Sequence, residues 1–194
     1  MTAPAVPLAK AKASHRILAA GRTLVARGGA AEISMGDVAA AAGVSKALVH
    51  YHFRDKESLL CSLVHDVGSA TNARGRVAIA QLGDGHALDA YWTWLEGELR
   101  RGDLRVLVSL AEYDSDAVRT ASRAIADERR EVTAEQVAAL FHRLGLSLPV
   151  PAELLADTML AFIDGMAVAY AMDTTRNPRP SFDVFWLALL TLAG

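Results

Sequence analysis

The sequence predicts an all-α protein with a small helical head and a larger helical body, on three observations. Residues 34–60 read as two short helices joined by a tight glycine turn and followed at once by a third; apolar residues beyond residue 60 recur at helical spacing; no segment alternates as a strand. The expected organisation is a tail over 1–8, a three-helix head over 9–54 and a helical body over 55–194, about nine helices in all.

Ser34, three residues before Asp37, reads as an N-cap with a carboxylate in the first turn. Val38, Ala39 and Ala42 give the helix that follows an apolar face, and Gly43 supplies the left-handed residue that ends it. Ser45 caps the next helix, Lys46 to His52, whose inward side is Val44, Val49 and Phe53. The small alanines let the two helices approach closely, leaving Lys46, Ala47, Leu48, His50 and Tyr51 outside, free to face a groove. Lys46 at a helix N-terminus suits a phosphate or a guanine edge, and His50 and Tyr51 can donate hydrogen bonds to phosphates.

These residues carry a family resemblance. Val38-Ala39, Ala42-Gly43-Val44-Ser45, Lys46, Val49-His50, His52-Phe53, Lys56-Glu57 and Leu59-Leu60, with Arg16 to Gly21 upstream, resemble the N-terminal domain of the tetracycline repressor (TetR) family. The resemblance covers roughly residues 10–64 and departs from the family pattern at Ala47-Leu48 and at His50. It implies a transcriptional regulator, in its simplest form a repressor, that seats a homodimer on double-stranded DNA at an inverted-repeat operator and is released by a small hydrophobic ligand. The residues expected at DNA are Ser34, Ser45, Lys46, Ala47, Leu48, His50, Tyr51 and Lys56.

The body follows as a series of helices. Asp55 to about Ala80 is a long connector carrying Leu59, Leu60, Leu63, Val64 and Val67 inward, and Gly83-Asp84-Gly85 breaks it. A helix from about His86 to Arg101 carries Leu88, Tyr91, Trp92 and Leu95; Gly102-Asp103 restarts the chain into Leu104 to Tyr113. Asp114-Ser115-Asp116 caps a long helix to about Leu144, and Pro151 opens another reaching Met172. Thr174 to Pro180 reads as a loop before a last helix, Phe182 to Leu192.

Net charge is −2, yet residues 1–60 carry eight Lys/Arg against four Asp/Glu while the rest carries twelve against eighteen. A basic head on an acidic body steers the head toward phosphates. The longest apolar runs, near Val184 to Leu190, fall short of the roughly 20 residues of a membrane span. The N-terminus has no apolar signal core, so a cytoplasmic protein without a membrane partner is expected. The single cysteine, Cys61, excludes an intrachain disulfide and a zinc-ligand set.

The last helix is apolar nearly all round and needs cover on more than one side. With Leu160, Ile163 and Ala167 of the helix before it, Phe182, Phe185, Trp186 and Leu189 are expected at a two-fold four-helix interface. Ligand-binding residues are expected among Tyr91, Trp94, Leu95, Tyr113, Phe141, Phe162, Asp164 and Met166. Asp164, within an apolar helix, reads as either a structural hydrogen-bonding residue or a ligand anchor. HExxH, GxSxG, GxxxxGK, GxGxxG and Cys/His zinc spacings are all absent, so neither an enzyme nor a cofactor or metal is expected. A helical interaction adaptor would account for the apolar helices but not for the exposed Lys46 and Tyr51.

Overall fold

The computed structural model describes residues 8–81 and 86–193, and among these there are nine helices and no strand. They are α1 (Leu8–Gly28), α2 (Met35–Ala42), α3 (Lys46–His52), α4 (Lys56–Ala80), α5 (Ala87–Arg101), α6 (Asp103–Ala111), α7 (Asp116–Arg143), α8 (Ala152–Met172) and α9 (Arg179–Ala193). The tail expected over 1–8 lies outside the described residues except for Leu8, which begins α1, and so does the break expected at Gly83 to Gly85. Two helix ends differ from the sequence reading. α9 starts at Arg179, before Phe182, because proline costs nothing in a first turn and Pro180 is absorbed there; α6 stops at Ala111, short of Tyr113.

Two apolar clusters organise the chain. The first joins Ile17 and Val25 of α1, Val38 of α2 and Val49 of α3 to Leu59, Leu60 and Leu63 of α4, and continues into Val106 and Leu110 of α6 and Ile125 of α7. The head therefore shares its core with the lower body across Arg54 and Asp55. The second cluster fills the upper body with Tyr91, Leu95, Phe141, Met159, Ile163, Phe182 and Trp186.

Two close approaches set the frame. α4 and α7 form the most extensive helix pair, and they meet through glycine. A Cβ on Gly68 would stand 2.3 Å from Ile125 Cγ2, and one on Gly75 2.9 Å from Val132 Cγ1. The seven-residue spacing on both helices keeps one stripe in contact over two turns. At the second, α5 and α6 join through a single residue, Gly102, whose φ of 74° serves as the C-cap of one helix and the N-cap of the next. α1 packs on this joint, with Ala26 Cβ 3.8 Å from where a Gly102 Cβ would lie.

α8 is long and apolar enough by length and composition to cross a membrane, which a search for unbroken apolar runs overlooks because Asp157 and Asp164 interrupt it. Here it lays Leu155, Met159, Ile163 and Met166 into the second cluster, and its acids pair with α7: Asp157 with Arg130 at 2.7 Å, Asp164 with Arg129 at 2.5 and 3.1 Å. It packs as the core helix of a bundle.

Candidate DNA-reading head and ligand site

The head is built by caps. Asp37 N–H donates to Ser34 Oγ at 3.2 Å while Ser34 N–H donates to Asp37 Oδ2 at 2.9 Å, a reciprocal capping box that starts α2. Ser34 Oγ–H also donates to Asp37 Oδ2 at 2.6 Å, and this bond first, then the one from Ser34 N–H, holds the Asp37 carboxyl below its ordinary value. Gly43 at φ 62° ends α2, and Ser45 Oγ accepts from Leu48 N–H at 3.1 Å to start α3. Val49 is wholly buried and fixes the rotation of α3, turning Lys46, Ala47, His50 and Tyr51 outward; Tyr51 is 67% exposed. His50 Nδ1 lies 3.2 Å from the Arg54 carbonyl, which ties the end of α3 to the following turn.

Lys56 faces elsewhere. Its Nζ donates to the Ala31 carbonyl at 2.8 Å and sits 5.1 Å from the centre of the Tyr113 ring, so in the absence of DNA this lysine ties α4 to the α1–α2 turn and to the end of α6. Burial is also the main cause that lowers its pKa. Tyr113, expected among the ligand residues, packs at the head–body seam. The turn at Asp55 gave no hint in sequence of folding Lys56 back.

A relay of shared charges runs from α5 to α1. Arg74 of α4 donates to both oxygens of the wholly buried Glu98, at 2.7 and 2.8 Å, and to Asp103 at 2.7 Å. Asp103, also wholly buried, pairs on its other oxygen with Arg22 of α1 at 2.6 Å. Arg101 approaches Glu98 to 3.5 Å from the groove side. Hydrogen bonding to Glu98 is the main cause that raises Arg74 above its ordinary pKa, whereas burial raises Asp103 against the pull of Arg22 and Arg74. Lower down, Ala30 N–H donates to Ser109 Oγ at 2.8 Å, a second polar anchor of α6 on the head.

The expected ligand chamber is closed. Tyr91, Leu95 and Phe141 are buried against one another and against α9, with Tyr91 6.0 Å from Trp186 and 6.2 Å from Phe182 between ring centres. The space bounded by Trp94, Thr71, Gln136 and Ile163 is about 10 Å³, and that bounded by Leu107, Ser122, Arg129 and Asp164 about 100 Å³. Asp164 spends both oxygens on Arg129. Three buried donors in the aromatic cluster, Tyr91 Oη, Trp94 Nε1 and Trp186 Nε1, have no acceptor among the described residues. Burial raises the Tyr91 phenol pKa.

Three larger spaces open at the surface, one of them a charged hollow of about 580 Å³ lined by Asp127, Arg130, Glu131, Ala134 and Glu153. A groove of about 570 Å³ lies between α4 and α5, lined by Ala73, Arg74, Val77, Trp94, Glu98 and Arg101 among others. A cleft of about 340 Å³ lies between α8 and α9, lined by Phe162, Met166, Tyr170 and Arg176 among others. Of the expected ligand residues, Trp94 faces the groove and Phe162 and Met166 the cleft.

The expected interface stripe is also displaced. Phe182, Trp186, Leu189, Ile163 and Ala167 are buried by their own chain, and Phe185 stacks on Phe162 with ring centres 4.1 Å apart; Leu160 is half-buried. The face left open carries Leu154 and Met172 of α8 and Val184, Leu187 and Leu192 of α9, the last 72% exposed. The bulkier aromatic side of α9 goes inside because it buries more apolar area per turn.

Residues 17–63 match the family model described as bacterial regulatory proteins, tetR family. The head is similar to the N-terminal domain of tetR-family regulators. Over nine-tenths of its length or more the chain has the fold of the following solved structures. It aligns with a TetR-family transcriptional regulator from Agrobacterium tumefaciens at TM-score 0.69 and 23% identity, over 90% of this chain and 97% of the other. It aligns with NalD, the secondary repressor of the MexAB-OprM multidrug efflux pump in Pseudomonas aeruginosa, at 0.61 and 19%, over 95% and 97%. A third alignment is with SmeT in complex with triclosan, at 0.67 and 15%, over 91% of each chain. No curated protein matches the chain in sequence.

Within the head, sequence reasoning missed Arg16. Its guanidinium donates to the Ala42 and Gly43 carbonyls at 2.6 and 2.9 Å, closing the C-terminus of α2 where carbonyls lack helical partners and a cation is favoured. An arginine on a neighbouring helix leaves no local signal for this role. Cys61 is half-buried in α4, and burial, followed by Glu57 and Asp55, pushes its thiol pKa up, which disfavours the reactive thiolate.

Proposed function

We propose that the protein is a transcriptional repressor that binds an inverted-repeat operator as a homodimer and is released by a small hydrophobic ligand. The observation that carries the reading is α3: a short helix held by Val49 and the caps at Ser45 and Gly43, presenting Lys46, Ala47, His50 and Tyr51 together on its outer side. Lys46 at the N-terminus of α3 joins its charge to free backbone N–H groups, a pairing suited to phosphate. Ser34 and Ser45, both exposed, flank the same surface after serving as caps.

The dimer reading rests on the open apolar face of α8 and α9. Val184, Leu187 and Leu192 stand where a monomer would place polar residues, and a two-fold copy would cover them with Met172. Such a dimer sets two copies of α3 on successive major grooves, about one DNA turn apart. Ligand response is supported by the unpaired donors Tyr91 Oη, Trp94 Nε1 and Trp186 Nε1, which cost stability until an acceptor reaches them. NalD is a repressor and SmeT is held with triclosan, which makes repression and a hydrophobic effector the simplest form of the reading here.

Gel retardation at several salt concentrations tests the reading, using DNA from upstream of the protein's own coding sequence. Expected is a retarded complex whose affinity falls steeply with salt. Absence of any retarded DNA at low salt overturns it.

A further inference from the structure

We propose that the groove between α4 and α5 is a binding site for an amphipathic carboxylate, whose head engages Arg101 and whose apolar chain lies along Val77, Ala78 and Ala90 toward Gln81. The proposal deepens the ligand-responsive reading above and rests on it for its link to DNA. Three observations converge.

The first is shape. The groove offers about 570 Å³, within the range of small-molecule sites, and between its charged inner end and Gln81 its walls are apolar apart from Thr93. From Arg74 to Gln81 an α-helix advances about 10 Å at 1.5 Å per residue, the reach of a chain of roughly eight to ten carbons.

The second is charge. The inner end gathers Arg74, Arg101 and Glu98, with Asp103 and Arg22 behind them, so the described ion pairs hold three guanidiniums against two carboxylates. Arg74 and Arg22 are engaged at 2.6 to 2.8 Å, while Arg101 stands 3.5 Å from Glu98 with nearly half its side chain exposed. The surplus positive charge therefore faces the groove. A carboxylate completes it; a cationic head meets repulsion, and a neutral one gains only the apolar wall.

The third is connection. Glu98 is shared between Arg101 and Arg74, Arg74 between Glu98 and Asp103, and Asp103 between Arg74 and Arg22 on the head helix α1. Arg22 Nη2 also lies 3.5 Å from the Arg101 carbonyl. An anion drawing Arg101 off Glu98 changes the charge that Arg74 must satisfy, and hence the hold on Arg22. The groove thus meets α1 through side chains that each have two partners to choose between.

Decanoate, decanol and decyltrimethylammonium, each below its micelle concentration, are the probes, read by thermal unfolding and tryptophan fluorescence. Decanoate raises the melting midpoint with concentration, decanol less, and the cation not at all. Arg101→Gln weakens decanoate about tenfold, and Ala78→Phe, which fills the groove without touching its charges, abolishes binding. Decanoate binding of wild-type strength in both variants, or an equal response to the cation, overturns the site. For coupling, decanoate lowers wild-type DNA affinity, whereas Arg22→Gln, which removes one of the three guanidiniums and binds decanoate more weakly, keeps the same DNA affinity with or without saturating decanoate; an undiminished decanoate effect in Arg22→Gln overturns the relay. If wild type retards DNA yet ignores decanoate, the site alone fails. If it binds decanoate yet retards no DNA, the regulator reading alone fails.

Discussion

Single residues divide between those that present chemistry and those that aim it. Lys46 and Tyr51 are exposed on α3, so Lys46→Ala is expected to weaken operator binding and to reduce the slope of log affinity against log salt by about 1, leaving dimerisation intact. Gel retardation with light scattering on the same samples checks this, and equal loss of both properties would contradict it. Asp55 has an aiming role. Its Oδ1 accepts from Ser58 N–H at 2.8 Å and Ser58 Oγ–H at 2.7 Å, and these bonds, with Arg54 adding to them, hold its carboxyl at about 2. A carboxyl whose pKa is lower folded than unfolded contributes stability above its ordinary value, and that contribution is lost as pH falls from about 4 toward about 2. Melting curves between pH 7 and 2.5 should show Asp55→Asn losing stability near neutrality and responding less than wild type to acid below pH 4. The caps at Ser34, Ser45 and Ser115 were legible because a side chain and its target lie three residues apart, whereas the cap at Asp55 was read as part of the helix it starts. Lys56 and Arg16 were not legible, because Ala31 and Ala42 are brought to them only by the fold.

At the scale of elements, helix existence followed from spacing and caps, and helix phase did not. The last helix is apolar on nearly every side, so its sequence gave no reason to choose between the Phe182/Trp186/Leu189 stripe and the Val184/Leu187/Leu192 stripe. The fold chooses by size. Trp186→Ala is therefore expected to destabilise the protomer by about 3–5 kcal/mol, while Leu187→Glu leaves the fold intact and yields monomers in sedimentation; the reverse pattern would restore the sequence reading. The α4–α7 crossing was equally hidden, because Gly68 and Gly75 look like weak points in a helix until Ile125 and Val132 stand against them. Gly68→Ala would drive a methyl into Ile125 and cost roughly 1–3 kcal/mol, and Ile125→Ala in the same chain should return part of that loss. Chemical denaturation of the two variants measures both.

For the whole molecule, the division into a basic head and an acidic body was readable from composition, and the sharing of one core between them was not. α6 is where this matters. It begins at Asp103, paired to Arg22 of α1, and near its end Ser109 accepts from Ala30 N–H, so the head is fastened to the body at both ends of a nine-residue helix. A rearrangement of the body that moves α6 moves the head as well, without a flexible linker to absorb it. The Gly102 joint makes the fastening dependent on length as well as on residue type. With one residue shared between α5 and α6, an inserted amino acid has no loop in which to hide: it would advance α6 by about 1.5 Å and turn it by roughly 100°, carrying Asp103 away from both arginines. Insertions and deletions should therefore be tolerated elsewhere on the surface long before they are tolerated at this corner, and the register between α5 and α6 is as much a part of the protein's specification as any side chain.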